Sequence, residues 1–156
     1  MKQEVAEKWV AALRSGKYEQ TTEKLRDIIN TDPSEPKLTN SFCCLGVLCN
    51  LFAEEHTDAK WVIDSKNSCA YFDPGNDDGD PEALPVLVQK WADMDSPLGQ
   101  LRHSTERDKI TAELRELRQR PERIGEGCVS TLADANDHNV LFEKLADFIE
   151  RNWRHL

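Results

Sequence analysis

The sequence predicts a single α+β domain, mainly helical, over residues 1–156. Amphipathic helical patterns occupy both ends of the chain, an uncharged cysteine-rich segment lies between them, and a short alternating segment is typical of a β-hairpin. A chain of this length normally forms one domain and buries a core without disulfide or metal support. We therefore expect a buried cysteine-rich central helix packed by the N- and C-terminal helices, with a small antiparallel hairpin.

The N-terminal quarter of the chain is predicted to contain one clear helix followed by turn-rich sequence. Residues 3–14, QEVAEKWVAALR, place apolar side chains at four-residue spacing, and Gly16 ends this helix because glycine adopts the left-handed cap conformation easily. Residues 21–29, TTEKLRDII, fit either a short helix or a strand. Residues 30–41 are rich in proline, asparagine and serine, and are predicted to form a loop.

The segment FCCLGVLCNLF, residues 42–52, is predicted to be a helix buried on all sides, with Ser41 as its N-cap. It contains no charged residue, which distinguishes it from an amphipathic surface helix. Gly46 inside this helix destabilises it by about 1 kcal/mol relative to alanine. We expect the compensation to be close approach of a neighbouring element at this position.

Cys43, Cys44 and Cys49 could be metal ligands, a reactive thiol with its neighbours, or core residues. Adjacent cysteines on a helix diverge by about 100 degrees, so they do not converge on one metal ion. A catalytic thiol requires an electropositive surrounding, and the segment carries no charge. The sequence therefore favours core packing, with reduced thiols and no metal or other cofactor.

A hairpin is predicted with arms at residues 61–64 and 69–72 joined by the turn SKNS, and Trp61 is the tryptophan expected to be partly exposed for stacking. Residues 73–82, DPGNDDGDPE, form an acidic loop. An EF-hand alignment that places Gly79 at position six of the loop puts Pro74 and Pro85 at the first and last ligand positions, so calcium binding is not predicted.

Three further helices are predicted in the second half of the chain. Residues 84–94 have an apolar face and a proline in the first turn. Residues 105–119 form a charged helix whose narrow apolar stripe predicts a peripheral position. The last helix, at about residues 139–153, has a strong core face and Asp137 or Asn139 as its expected cap.

The net charge of −9 disfavours general nucleic-acid binding and anionic membrane surfaces, because both need clustered lysine and arginine. It leaves open a small anionic ligand held by local arginines, a basic protein partner and a homo-oligomer. No apolar run reaches the roughly 20 residues of a membrane span. Glutamates stand where a signal peptide would be apolar, so a cytoplasmic protein is expected.

Several motifs together resemble a widespread family of small proteins encoded by bacteriophages and prophages. They are W-x3-LRSG-x-Y-x-Q from Trp9 to Gln20, FCCLGVLC at 42–49, LP-x2-V-x2-WA at 84–92, and an ND pair followed by a phenylalanine and LADFIE. The resemblance implies a phage accessory protein that acts in the cytoplasm of an infected host bacterium. It does not imply a particular reaction.

Two polar stretches supply the candidate binding residues. The first follows the predicted first helix, and its alternative role is surface solvation and helix capping. The second precedes the predicted last helix, where backbone N–H groups could hold an anion and where N-capping is the alternative. Both stretches border elements expected to pack on the central helix, so they could share one cleft. The candidates are Arg14, Tyr18, Gln20, Arg26, Asn136 and Asp137.

The sequence favours a non-catalytic protein that binds a host target, because no nucleophile–base pair or catalytic metal motif is present. The target is either a small nucleotide-like molecule, such as a defence signal sequestered in a pocket, or a host protein that is blocked. One alternative is a hydrolase or nucleotide-processing enzyme that uses dispersed carboxylates, for example Asp137 with Asp147 or Glu150. Another alternative is a structural or assembly protein of the virion.

Overall fold

A computed structural model of the chain describes residues 1–29, 36–77, 79–118 and 129–156. The described part is an α+β fold, mainly helical, in agreement with the prediction. Its helices are Gln3–Arg14 (α1), Cys44–Glu55 (α2), Val86–Ala92 (α3), Arg107–Glu116 (α4), Leu132–Asp137 (α5) and Phe142–Asn152 (α6), followed by a 3-10 turn at Trp153–His155. Its strands are Glu19–Gln20 (β1), Arg26–Ile29 (β2), Lys37–Phe42 (β3), Lys60–Asp64 (β4) and Cys69–Asp73 (β5).

The cysteine-rich helix α2 lies at the centre of the core. Its apolar residues from Leu45 to Phe52 and the cysteines Cys43, Cys44 and Cys49 are buried, as predicted from the absence of charge. Helices α1, α3 and α5 pack against α2, and α6 packs against α1 and α5. The indole N–H of the fully buried Trp9 donates to the carbonyl oxygen of Cys44 at 2.9 Å, which joins α1 to the first turn of α2.

Gly46 marks the closest approach of another chain segment to α2. A Cβ atom at this position would lie 1.7 Å from the carbonyl oxygen of Leu25. Leu25 is fully buried, and the same carbonyl accepts a hydrogen bond from the Cys43 N–H at 3.2 Å. The predicted close approach is confirmed, and the neighbour is the backbone immediately before β2.

Two small sheets lie beside the helices. In the first sheet β3 is the middle strand, with β1 parallel to it and β2 antiparallel, so that Arg26 is paired with Phe42. Strands β4 and β5 form the predicted hairpin, in which Trp61 is opposite Phe72. Because β2 also packs against β5, residues of the first sheet meet residues of the hairpin.

The structure resolves residues 21–29 in favour of a strand at their end and corrects the prediction for the loop that follows. Residues 30–35 of that loop lie outside the described residues, but 37–42 form β3. Ser41 is therefore a strand residue paired with Glu19 and is not a helix cap. Cys43 takes the N-cap position, and its sulfur accepts a hydrogen bond from the Gly46 N–H.

The C-terminal region contains one more helix than predicted. Thr131 begins α5 with a capping box, in which its hydroxyl accepts from the Asp134 N–H while the Asp134 carboxylate accepts from Thr131 N–H. Asp137 is therefore the last residue of α5 rather than the cap of the final helix. Asn139 has a positive φ of 60° in the connection, and α6 begins at Phe142 with Leu141 as its N-cap.

The remaining predicted elements are present with shorter bounds. The helix predicted at 84–94 is α3, and the charged helix predicted at 105–119 is α4, which buries only Ile110 and Leu114. Residues 119–128 and residue 78 of the acidic loop lie outside the described residues. Within the described part, the acidic loop is organised by Asp73, whose carboxylate accepts hydrogen bonds from three successive backbone N–H groups.

Candidate functional site

The two predicted polar stretches meet through Gln20 and Asn136. The Gln20 amide donates to Asn136 Oδ1 at 3.1 Å and to the Val140 carbonyl oxygen at 2.8 Å. Gln20 Oε1 accepts a hydrogen bond from the Phe142 N–H at 3.1 Å. Since Phe142 opens α6, Gln20 supplies an acceptor that this helix start would otherwise lack.

Asn136 caps the start of α2 in the same way. Its side chain is fully buried, and its Oδ1 accepts a hydrogen bond from the Cys44 N–H at 3.2 Å, at the first residue of α2. Its Nδ2 donates to the Thr21 carbonyl oxygen at 2.8 Å. Gln20 and Asn136 thus act as helix caps from outside the helices. In both residues the side-chain amide nitrogen and oxygen are engaged in structural hydrogen bonds.

Asp137 lies at the C-terminal end of α5, where the helix dipole does not favour an anion. Its carboxylate accepts a hydrogen bond from the Glu23 N–H at 2.8 Å, at a residue with a positive φ of 67°. The sequence predicted a helix start at this position, which would hold an anion. The structure instead has a helix end, and the Asp137 carboxylate holds the turn before Leu25. The anion-binding interpretation of this position therefore loses its physical basis.

Arg14 is engaged by two carboxylates of α6. Its Nη2 lies 2.6 Å from Asp147 Oδ1 and 2.7 Å from Glu150 Oε2, on the protein surface. A groove of about 400 Å³ passes between α1 and the C-terminal segment at this point, with Trp153 in its lining. The positive charge of Arg14 is already compensated, so an anionic ligand would have to displace both carboxylates.

The dispersed carboxylates considered for an enzyme do not converge. Asp147 and Glu150 share Arg14, whereas Asp137 is bound to the Glu23 backbone. The Arg14 hydrogen bond lowers the pKa of Glu150 below its ordinary value. A general acid requires a raised pKa, so the shift at Glu150 has the wrong direction for that role.

Tyr18 is almost completely buried, with 8% of its surface exposed. Its hydroxyl oxygen accepts a hydrogen bond from Asn50 Nδ2 at 3.1 Å, and its ring meets Phe42 edge-on with centroids 5.2 Å apart. The Lys17 ammonium lies 5.3 Å from the centre of the same ring. Tyr18 therefore has no free face on which a base could stack, but its hydroxyl proton is not used by the hydrogen bond from Asn50.

Arg26 is the predicted residue whose surroundings do not compensate its charge. Its guanidinium carbon lies 4.6 Å from the centre of the Phe42 ring and 5.3 Å from that of Trp61. Nε donates to the Thr39 carbonyl oxygen at 2.8 Å. Among the described residues, no carboxylate pairs with Arg26 and no acceptor binds its two outer nitrogens.

Burial lowers the pKa of Arg26, with Tyr18 acting in the opposite direction. Arginine nevertheless stays charged at neutral pH because its ordinary pKa lies so high. The partly buried arginine and the rings of Phe42 and Trp61 thus form a positive site that retains an unused pair of donors. We call Tyr18, Arg26, Phe42 and Trp61 the Arg26 cluster.

Trp61 contributes a second unused donor to this cluster. Its side chain is partly buried, its ring packs against Phe42 and Phe72 with centroids 5.6 and 5.0 Å apart, and its Nε1 is buried without a hydrogen-bond partner. Trp61 was expected to stack on a ligand, but the Arg26 guanidinium lies over its ring instead. Asn50, Phe42 and Phe72 were not predicted as site residues, and only the apolar alternation of the hairpin hints at the position of Phe72.

The cysteines do not add chemistry to this site. Burial raises the pKa of the Cys43 thiol to about 12 and shifts the pKa values of Cys44 and Cys49 in the same direction. Thiols of this kind are poor nucleophiles at neutral pH. Across residues 1–29, 36–77, 79–118 and 129–156, the acidic, histidine and cysteine side chains form no group suited to holding a metal ion.

Comparisons with known proteins identify the chain at the level of a family. A family model described as "Domain of unknown function (DUF8296)" matches residues 1–153. Neither the curated proteins nor the solved structures contain a match. In the described part of the chain, every helix is too short or too polar to cross a membrane.

Proposed function

The chain belongs to the family described as "Domain of unknown function (DUF8296)", and we propose that it is a non-catalytic accessory protein of bacteriophage type that binds a small anionic ligand through Arg26. Binding removes the ligand from the cytoplasm of the infected host, which suits a nucleotide-like defence signal. The resemblance of the LRSG and FCCLGVLC segments to phage proteins supports this setting.

The carrying observation is the uncompensated charge of Arg26. A partly buried charge without a partner is unfavourable, and in proteins such groups are normally paired. The Phe42 and Trp61 rings offset part of this unfavourable free energy through cation–π attraction, worth about 0.5–2 kcal/mol. They do not, however, accept hydrogen bonds from the outer N–H groups of Arg26. An anionic ligand would supply the missing partner with the forked geometry that arginine favours.

Binding rather than catalysis is supported by what surrounds the guanidinium. The Arg26 guanidinium lies over the aromatic rings of Phe42 and Trp61, and Thr39 binds it only through a carbonyl oxygen. None of these is a nucleophile or a general base. The net charge of −9 also argues against a long nucleic acid as the ligand, because only a local positive site is present.

The test is capture of the ligand from cells. Protein purified from bacteria with an activated phage defence is washed and heat-denatured, and the released small molecules are analysed by mass spectrometry, with a protein pull-down in parallel. We expect an anionic molecule to be released from the wild type and to be absent from Arg26→Gln.

Arg154→Gln is the matched control, since Arg154 also lies over a tryptophan ring, at 4.4 Å from the centre of Trp153, but is exposed on another surface. This variant should release the same molecule as the wild type. Equal release from Arg26→Gln, or enrichment of a host protein with no small molecule, would overturn the proposal.

A further inference from the structure

The unused donors of the Arg26 cluster outnumber the acceptor sites of a carboxylate. The two outer nitrogens of Arg26 carry four N–H groups, and neither nitrogen is among the buried atoms that lack a partner, so both reach solvent. The Tyr18 hydroxyl still has its proton to donate, because the contact with Asn50 uses its oxygen. The Trp61 N–H is buried and has no acceptor.

The side chains that carry these donors lie around the Phe42 ring. Arg26 lies over both Phe42 and Trp61, and Tyr18 meets the same Phe42 ring. Among the described residues, no carboxylate forms a hydrogen bond or ion pair with Tyr18, Arg26 or Trp61. A group that fits here must accept hydrogen bonds from several directions and carry negative charge.

We infer that the ligand group held by the Arg26 cluster is a phosphoryl group, bound by the outer nitrogens of Arg26 with Tyr18 and Trp61 as further donors. This inference rests on the proposed function and names the chemical class of its ligand. A carboxylate offers two oxygens with about four lone-pair sites. A phosphoryl group offers three strong acceptor oxygens in a tetrahedral arrangement, which can accept hydrogen bonds from donors on three separate side chains.

The same geometry assigns little role to a nucleobase. The Tyr18 ring is buried, and the Trp61 ring packs against Arg26, Phe42 and Phe72. Base stacking requires an open aromatic face. Recognition is therefore centred on the phosphoryl group, and ligands that differ only in their base should bind with similar affinity.

The Trp61 N–H is closed to solvent, so the outer nitrogens of Arg26 are the groups that a phosphoryl oxygen meets first. An oxygen that then moves in beside the guanidinium would give the indole N–H its missing acceptor. A displacement of this kind changes the surroundings of Trp61, which makes the contribution of this one of the four tryptophans to the fluorescence a reporter of binding.

The experiment titrates the intact chain with inorganic phosphate, adenosine monophosphate, adenosine and acetate, using calorimetry and tryptophan fluorescence at fixed ionic strength. We expect both phosphates to bind, acetate to bind at least tenfold more weakly, and adenosine not to bind. Arg26→Gln should weaken phosphate binding by about tenfold to a hundredfold, as expected when a charged hydrogen-bond donor is lost.

Tyr18→Phe and Trp61→Phe remove one donor each while keeping an aromatic ring. Each should weaken phosphate binding by about fivefold, and Arg154→Gln should leave it unchanged. Thermal unfolding of every variant without ligand separates loss of binding from loss of folding. Phosphate binding that is equal to acetate binding, or unaffected by both Tyr18→Phe and Trp61→Phe, would overturn the phosphoryl assignment and leave the anion proposal standing. Wild-type protein that binds no anion would overturn both.

Discussion

Replacing Gly46 with alanine tests whether the contact between α2 and Leu25 is as close as the structure indicates. Alanine is favoured over glycine inside a helix by about 1 kcal/mol, so helix propensity alone predicts a stabilised protein. The new Cβ would, however, lie 1.7 Å from the Leu25 carbonyl oxygen and 2.6 Å from its carbonyl carbon. Both are backbone atoms, which cannot move aside as the end of a side chain can.

The magnitude follows from the bonds that hold Leu25 in place. Its N–H donates to the Pro81 carbonyl oxygen at 2.7 Å, and its carbonyl accepts from the Cys43 N–H. Overpacking a core destabilises a protein by about 1–3 kcal/mol, and leaving a buried hydrogen-bonding group unpaired destabilises it by about 1–3 kcal/mol. After subtraction of the propensity gain, we expect Gly46→Ala to lower the free energy of unfolding by about 1–5 kcal/mol.

Urea unfolding followed by circular dichroism measures this change. Gly16→Ala is the control, because Gly16 has a left-handed φ of +68° but no atom within 4 Å of its Cβ position. Backbone strain without overlap should destabilise this control by about 1–2 kcal/mol. A Gly46→Ala protein as stable as the wild type, or more stable, would refute the close approach and the helix position derived from it.

Three further predictions concern the rest of the chain. Arg14→Gln should reduce stability slightly at neutral pH, because exposed ion pairs contribute little. The hydrogen bond to Arg14 lowers the pKa of Glu150, so the ion pair stabilises the folded protein above pH 4.5, the ordinary pKa of the carboxyl. This stabilisation is lost as the pH falls through the lower pKa of the folded state, so the stability curves of the variant and the wild type should converge in acid. Unchanged separation of the two curves would contradict this. In native protein a thiol reagent should modify the half-buried Cys69 well before the buried thiols of α2, and simultaneous labelling would contradict the buried arrangement. Asn136→Ala should destabilise the protein by about 3 kcal/mol, because it leaves the Cys44 N–H and the Thr21 carbonyl unpaired, and a loss below about 1 kcal/mol would show that water replaces the amide.

The fold was predictable where the order of apolar and polar residues within one segment indicates its secondary structure. The uncharged run around Gly46 determines a buried helix, and the alternation on either side of SKNS determines a hairpin. Residues 21–29 could not be resolved locally, since Leu25 and the two isoleucines suit a helix or a strand. Their extended conformation depends on pairing with β3 and on contact with Gly46.

The site was predictable only in part, because its properties depend on distant partners. Nothing near Arg14 or Arg26 in the sequence shows that the former is paired with two carboxylates of α6 while the latter has none among the described residues. The position of Trp61 beside Arg26 results from packing of β2 against the hairpin. For Gln20 and Asn136, the sequence indicated polar residues near helices but not that each caps a helix remote in the chain.

The hydrogen bond from the Cys44 N–H to Asn136 also determines when the chain can fold during synthesis. The two residues are 92 positions apart. At about 5–20 residues per second, the ribosome needs on the order of 5–20 s to make the intervening chain. Throughout that interval the nascent α2 has neither its external cap nor the cover of α5, so its apolar surface and its thiols are open to chaperones and oxidants that cannot reach them in the finished protein.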